Sequence, residues 1–134
     1  MEERVTLAAT LEHTSKYTQS LETRLQPLPI EVRTGVVLAV QELLVNIVKH
    51  AYAGEEGMID FTLTVSDSVL TVAVVDQGKN AYQLPEEVAE PDMLALPEGG
   101  LGLFIMHQTF DDITYTRVAE SNHWHLKKRL ETQP

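Results

Sequence analysis

The stretch VQELLVNIVKHAY, from Val40 to Tyr52, decides the reading of this chain. Its apolar residues recur every three or four positions. With Val36 upstream, Val40, Leu43, Leu44, Ile47 and Ala51 form a stripe down one face of a helix. Glu42, Asn46 and His50 fall four apart beside that stripe, so they share a second, polar line. Asn46 sits among Leu43, Leu44, Ile47 and Val48, where burial is expected. A polar group placed there needs partners. An amide oxygen in that position suits Mg²⁺, an ion that keeps several of its waters. A carboxylate one turn earlier suits a base toward a hydroxyl. The bland alternative has Asn46 bonded to backbone and Glu42 on the helix surface. A metal site built directly from Glu42, Asn46 and His50 is disfavoured, because no further cluster of ligands accompanies them.

Outward from this helix, the spacing predicts a strand over Val5 to Ala9 and a helix over Glu12 to Leu25. Pro27 and Pro29 break that helix, and the next one runs from about Glu31 to Tyr52. Its stop lies in Ala53 to Gly57. MIDFTLTVS alternates, with Ile59, Phe61, Leu63 and Val65 on one face. VLTVAVVD is apolar on both parities, as in a central strand covered on at least one face. Ser66-Asp67-Ser68 joins the two as a hairpin. Residues 79 to 99, with Pro85, Pro91, Pro97 and many carboxylates, read as a long functional loop. A helix from Leu101 to Thr109 and strands over Asp112 to Val118 and His123 to Leu130 follow, with Ala119 to Asn122 as the turn. In the last strand, alternation sets His123 and His125 opposite Trp124 and Leu126. The order predicts an α+β fold, a two-layer sandwich with a mostly antiparallel sheet and helices on one face.

The totals agree with one such domain over residues 1 to 134. Hydrophobic residues make up 43% and charged residues 22%, which suits a globular core and excludes a disordered chain. The net charge of -10 disfavours nucleic acid and anionic membranes as partners. It permits a neutral or basic protein. With no cysteine, disulfide and thiolate chemistry are excluded. Neither a signal peptide nor an apolar run of membrane-crossing length is visible, so a cytoplasmic location is expected.

Two further stretches carry chemistry. Asp76-Gln77-Gly78 ends a strand with a carboxylate able to accept a hydrogen bond from an exocyclic amine. Gly78 would let a base approach the backbone closely. Glu98-Gly-Gly-Leu-Gly-Leu103 opens a helix, whose free amides can face phosphate oxygens. It is neither a P-loop nor a Rossmann fingerprint.

Taken in order, ELLVN with HAY, then VVDQG, then EGGLGLFIM resemble the anti-sigma factors and serine/threonine switch kinases of the RsbW and SpoIIAB type. These belong to the histidine-kinase-like GHKL ATPase superfamily. The resemblance covers nearly the whole chain and implies a Bergerat-type ATPase fold with ATP and Mg²⁺ as ligands. It implies Glu42 as the catalytic base, Asn46 as the magnesium ligand and His50 as support of the nucleotide pocket. Asp76 would read adenine, with Gly78 two residues on. Gly100, Leu101 and Gly102 would close over the phosphates, and residues 79 to 99 would form the lid. Relatives commonly carry an arginine where this chain has Leu101; Lys49 or Lys79 would then be the compensating cations. The implied activity is phosphorylation of a serine or threonine on a STAS-type anti-anti-sigma protein. Binding of a sigma factor and homodimerisation are implied as well. A module that binds nucleotide and sequesters a regulator without transfer is the alternative. His13 is read as an ordinary helix residue, not a phosphoacceptor.

Overall fold

The computed structural model describes residues 1–82 and 100–130. The chain runs β1 (Glu2–Ala8), α1 (Leu11–Arg24), α2 (Ile30–Asn46) and a π-helical turn (Ile47–Ala51). It continues through β2 (Met58–Val65), β3 (Val69–Asp76), α3 (Gly100–Thr109), β4 (Asp112–Val118) and β5 (Ser121–Arg129). The five strands form one sheet in the order β1-β2-β3-β5-β4, and each neighbouring pair is antiparallel. This is the α+β arrangement expected, with the helices on one face.

Register explains where the core sits. One row across the sheet is Val5, Phe61, Val74, Trp124 and Tyr115. A parallel row is Glu3, Leu63, Val72, Leu126 and Ile113. Their central members are buried together with Leu21 and Leu25 of the first helical hairpin, Val36, Val40, Leu43 and Leu44 of α2, and Met106 of α3. The opposite face, with Thr71, Ala73, His123 and His125, carries no helix among the described residues and stays half-buried or exposed. Both parities of β3 are apolar, yet only the one bearing Leu70, Val72 and Val74 is fully buried.

Local chemistry sets the helix ends. The Thr10 side chain caps α1 by accepting from the His13 amide at 3.1 Å, and its hydroxyl meets His13 Nδ1 at 2.7 Å. His13 is thus occupied in a cap. Pro29 precedes α2, where its fixed φ favours a helix start.

Three boundaries differ from expectation. β1 starts at Glu2, not Val5, because the free edge of β2 pairs with Glu2, Glu3 and Arg4 despite their charge. β5 starts at Ser121, and the turn shrinks to Ala119 and Glu120, with Ala119 at φ 55°. The third difference lies in the deciding helix itself. It is not one α-helix to Tyr52 but gives way after Asn46 to a π-turn, in which the Tyr52 amide reaches back five residues to the Ile47 carbonyl at 3.0 Å.

Candidate functional site

A third register row crosses the same sheet: Leu7, Ile59, Asp76, Asn122 and Arg117. It begins apolar and ends in three polar residues where the sheet meets the π-turn. Asp76 and Asn122 are each 1% exposed. Burial of this kind is tolerated only with hydrogen bonds, and they are present. Asp76 Oδ1 accepts from the Gly78 amide and from Asn122 Nδ2, both at 2.9 Å. Asn122 Nδ2 also donates to the Asn80 carbonyl at 3.1 Å. Asn122 Oδ1 accepts from the Tyr115 hydroxyl and from Arg117 at 3.0 Å. Because a guanidinium only donates, this contact fixes which end of the amide faces Asp76.

Arg117 extends the network to the main chain, donating to the carbonyls of Gly78 at 3.1 Å and Lys79 at 3.4 Å. The π-turn receives the same segment from the other side. Asn80 donates through its amide to the Ala51 carbonyl at 3.2 Å and through Nδ2 to the His50 carbonyl at 2.9 Å. Carbonyls that a helix end leaves without partners are thereby satisfied. Gly78 lies so close to this turn that a Cβ on it would stand 2.5 Å from the Ala51 carbonyl group. The room that a glycine leaves at Gly78 is taken by the end of the helix.

One buried atom is left over. Asp76 Oδ2 has no hydrogen-bond partner among the described residues. Asp76 lines a pocket together with Asn46, Ile47, His50, Ala51, Asn80, Ala81, Tyr82, Asn122 and Trp124. An unpaired buried carboxylate oxygen costs free energy unless something donates to it. An exocyclic amine is such a donor.

Asn46 and His50 line the same pocket as Asp76. Asn46 is half-buried, His50 exposed, and Glu42 half-buried one turn back along α2, outside the pocket lining. The Glu42 carboxylate and the Asn46 amide make no side-chain hydrogen bond among the described residues. Among the described residues, the Asn46 side chain makes no hydrogen bond to backbone. Lys79 is held by Glu55 at 2.9 Å on the surface. Lys49 is exposed and lines a groove between α1 and α2 with Leu11, Ser15 and Val45. Gly100, Leu101 and Gly102 form the first turn of α3, one residue earlier than expected. Their surroundings, and residues 83–99 of the expected lid, lie outside the described residues. Among the described residues no three of His, Cys, Asp and Glu come together as a metal cluster.

The sequence reading missed Asn122, Tyr115, Arg117 and Asn80. The available signal was parity: Asn122 alternates with Trp124 and Leu126, so it falls on the buried face. An amide placed there asks for partners, as Asn46 did.

Comparison with known proteins agrees with this geometry. Residues 7–128 match the model of the histidine kinase-like ATPase domain. The chain belongs to that family. Among curated relatives, the serine-protein kinase RsbW of Staphylococcus epidermidis is 34% identical over 85 residues, covering 58% of this chain and 54% of the relative. That of Bacillus mycoides strain KBAB4 is 34% identical over 82 residues, covering 57% and 51%. The chain spans about half the length of these relatives. Among solved structures, the RsbU and RsbW domains of Rv1364c from Mycobacterium tuberculosis superpose with a TM-score of 0.67 at 17% identity, covering 96% of this chain and 32% of that one. The histidine kinase domain of Erythrobacter litoralis EL346 gives 0.54 at 20% identity, covering 75% and 45%. Both likenesses support the ATPase-domain fold.

The donor set suits the ligand of such a domain. Among the described residues Asp76 Oδ2 is a buried acceptor without a donor, and Asn46 lines the same pocket as Asp76. An ion that keeps most of its waters needs no more protein ligands than that when phosphates supply the rest. No helix among the described residues is long and apolar enough to cross a membrane.

Proposed function

We propose that this chain is an ATP- and Mg²⁺-dependent protein serine/threonine kinase acting on a STAS-type anti-anti-sigma protein. It would hold a sigma factor in the alternate state of the switch. The observation that carries the ATP site is the buried Asp76 oxygen left without a donor. The similarity to serine-protein kinases named RsbW supports the choice of acceptor.

When bound, ATP supplies the phosphoryl group and Mg²⁺ neutralises its charge. Everything else falls to the chain's own residues. Asp76 accepts the hydrogen bond of an exocyclic amine and rejects a base that presents a carbonyl there, a discrimination that buried pairing makes large. Asn122 and Arg117 hold Asp76 and the Gly78 turn in place. Asn46 holds the metal. Glu42, with no hydrogen-bond partner among the described residues, is available to take or steer the proton of the acceptor hydroxyl. His50 borders the same pocket. Amides of the α3 first turn, at Gly100 to Gly102, would meet phosphate oxygens. A protein of net charge -10 favours a neutral or basic acceptor surface.

One sequence feature favours a second reading, in which nucleotide is bound and a partner sequestered without transfer. Leu101 stands where an arginine would help with phosphate charge. Incubation with γ-labelled ATP, Mg²⁺ and the STAS protein separates the two. The kinase reading expects label on a serine or threonine of that protein. Tight ATP binding with no label would leave the sequestering module, and no binding would contradict both.

A further inference from the structure

Among the described residues, the pocket beside Asp76 is narrow. Its free volume is about 10 Å³, room for roughly one water, whereas sites for small organic ligands span about 300 Å³ or more. Resting on the ATP-site reading above, something in this lining has to move before a base can enter. Most of the walls are fixed: Asn46 ends α2, Ile47, His50 and Ala51 form the π-turn, and Asp76, Asn122 and Trp124 belong to central strands. The remaining wall is Asn80, Ala81 and Tyr82, which lie in neither helix nor strand.

These three residues are not equally held. Asn80 makes three hydrogen bonds, to Ala51, His50 and Asn122. Among the described residues Tyr82 makes one hydrogen bond, its amide donating to the Tyr115 hydroxyl at 2.8 Å. Its ring rests on Trp124 at 5.2 Å between centroids and edge-on to Tyr115 at 6.2 Å. The geometry points to Tyr82 as an internal competitor for the base. Its flat ring covers Trp124 inside the same small pocket, and it comes away by rotation about Ala81 while Asn80 stays anchored. Nucleotide affinity is then set partly by Tyr82, because only the fraction of molecules with the ring displaced is competent to bind.

Trp124 is the chain's single tryptophan, so its emission follows Tyr82 directly. The test is stopped-flow and equilibrium titration of Mg-ATP against wild type, Tyr82→Ala and Tyr82→Phe. Thermal melting serves as the folding control. Tyr82→Ala is expected to bind roughly two- to tenfold tighter, the range an aromatic pair is worth. Tyr82→Phe should bind like wild type. In wild type alone, the observed rate should level off at high ATP as ring release becomes limiting. An equal or weaker affinity in Tyr82→Ala, with wild type binding normally, would overturn the plug and leave the ATP site standing. So would a wild-type rate that climbs linearly throughout. Absence of binding in all three folded proteins would sink the nucleotide reading, and the plug with it.

Discussion

Two polar regions meet at the end of α2, and they are built in opposite ways. On the sheet side, Asp76, Asn122, Tyr115 and Arg117 are cross-bonded to one another and to the main chain of residues 78–80. On the helix side, Glu42 and Asn46 project without a side-chain partner among the described residues. The difference follows from location. Asp76 and Asn122 lie in the covered face of a central pair of strands, where unmet hydrogen bonds are costly. Glu42 and Asn46 lie on the rim of a helix and remain half-buried, so water can serve them until a ligand does. On the function proposed above, the recognition half would be preorganised by folding and the transfer half left for metal, phosphate and acceptor to complete.

That contrast can be broken at either end. The largest effect is expected from Glu42→Gln on the helix side. Phosphoryl transfer to the acceptor protein should fall by about 10²–10⁴, the usual contribution of a general base. ATP affinity and melting temperature should stay near wild type, because the carboxylate makes no hydrogen bond or ion pair among the described residues. Label transfer and calorimetric titration measured on one preparation check the split. Equal losses of rate and affinity would make Glu42 a structural group.

On the sheet side, Gly78→Ala should act through the fold. A Cβ 2.5 Å from the Ala51 carbonyl group has a backbone for a neighbour and cannot be relieved by a side-chain rotation. Overpacking of this kind costs about 1–3 kcal/mol. Urea unfolding should show the loss together with weaker ATP binding. An unchanged midpoint would mean that the π-turn yields easily and that the region is less rigid than its bonding suggests.

A buried group remote from both halves sharpens the comparison with a smaller effect. Tyr17 donates to Glu3 Oε1 at 3.2 Å, and burial chiefly raises its pKa to about 12, against partial lowering by the Arg24 side chain. The folded pKa lies above the unfolded value of about 10. The neutral phenol therefore contributes stability that is fully present below pH 10. It is lost as pH rises toward 12, where the unfolded chain releases the proton first. Urea midpoints for wild type should fall over that window more steeply than for Tyr17→Phe. Parallel curves would remove the role of burial there.

Much of this was legible in the sequence where period and burial coincide. All six residues of the α2 stripe, from Val36 to Ala51, are buried, as are Ile59, Phe61 and Leu63. Periodicity also placed Trp124 and Leu126 against the core and His123 and His125 outside it. The π-turn was not legible, since Ile47 to Ala51 keep a helical pattern. Its long-range partner lies thirty residues on, where Asn80 donates to the His50 carbonyl. Asn122 was hidden for a similar reason. It reads as a turn residue until register sets it beside Asp76. The start of β1 depended on the edge of β2, which no local rule over Glu2 to Arg4 reports. Each miss is a contact between segments distant in sequence.

The central claim is that Asp76, held by Asn122, reads an adenine through its one unpaired oxygen. Calorimetric titration of Mg-ATP and Mg-GTP into wild type and Asp76→Asn tests it most directly. The account predicts a clear preference for ATP in wild type. It predicts a loss of about 10–100-fold in ATP affinity in the variant, as expected when a charged hydrogen bond is removed. Equal binding of the two nucleotides by wild type, or undiminished ATP binding by folded Asp76→Asn, would contradict it.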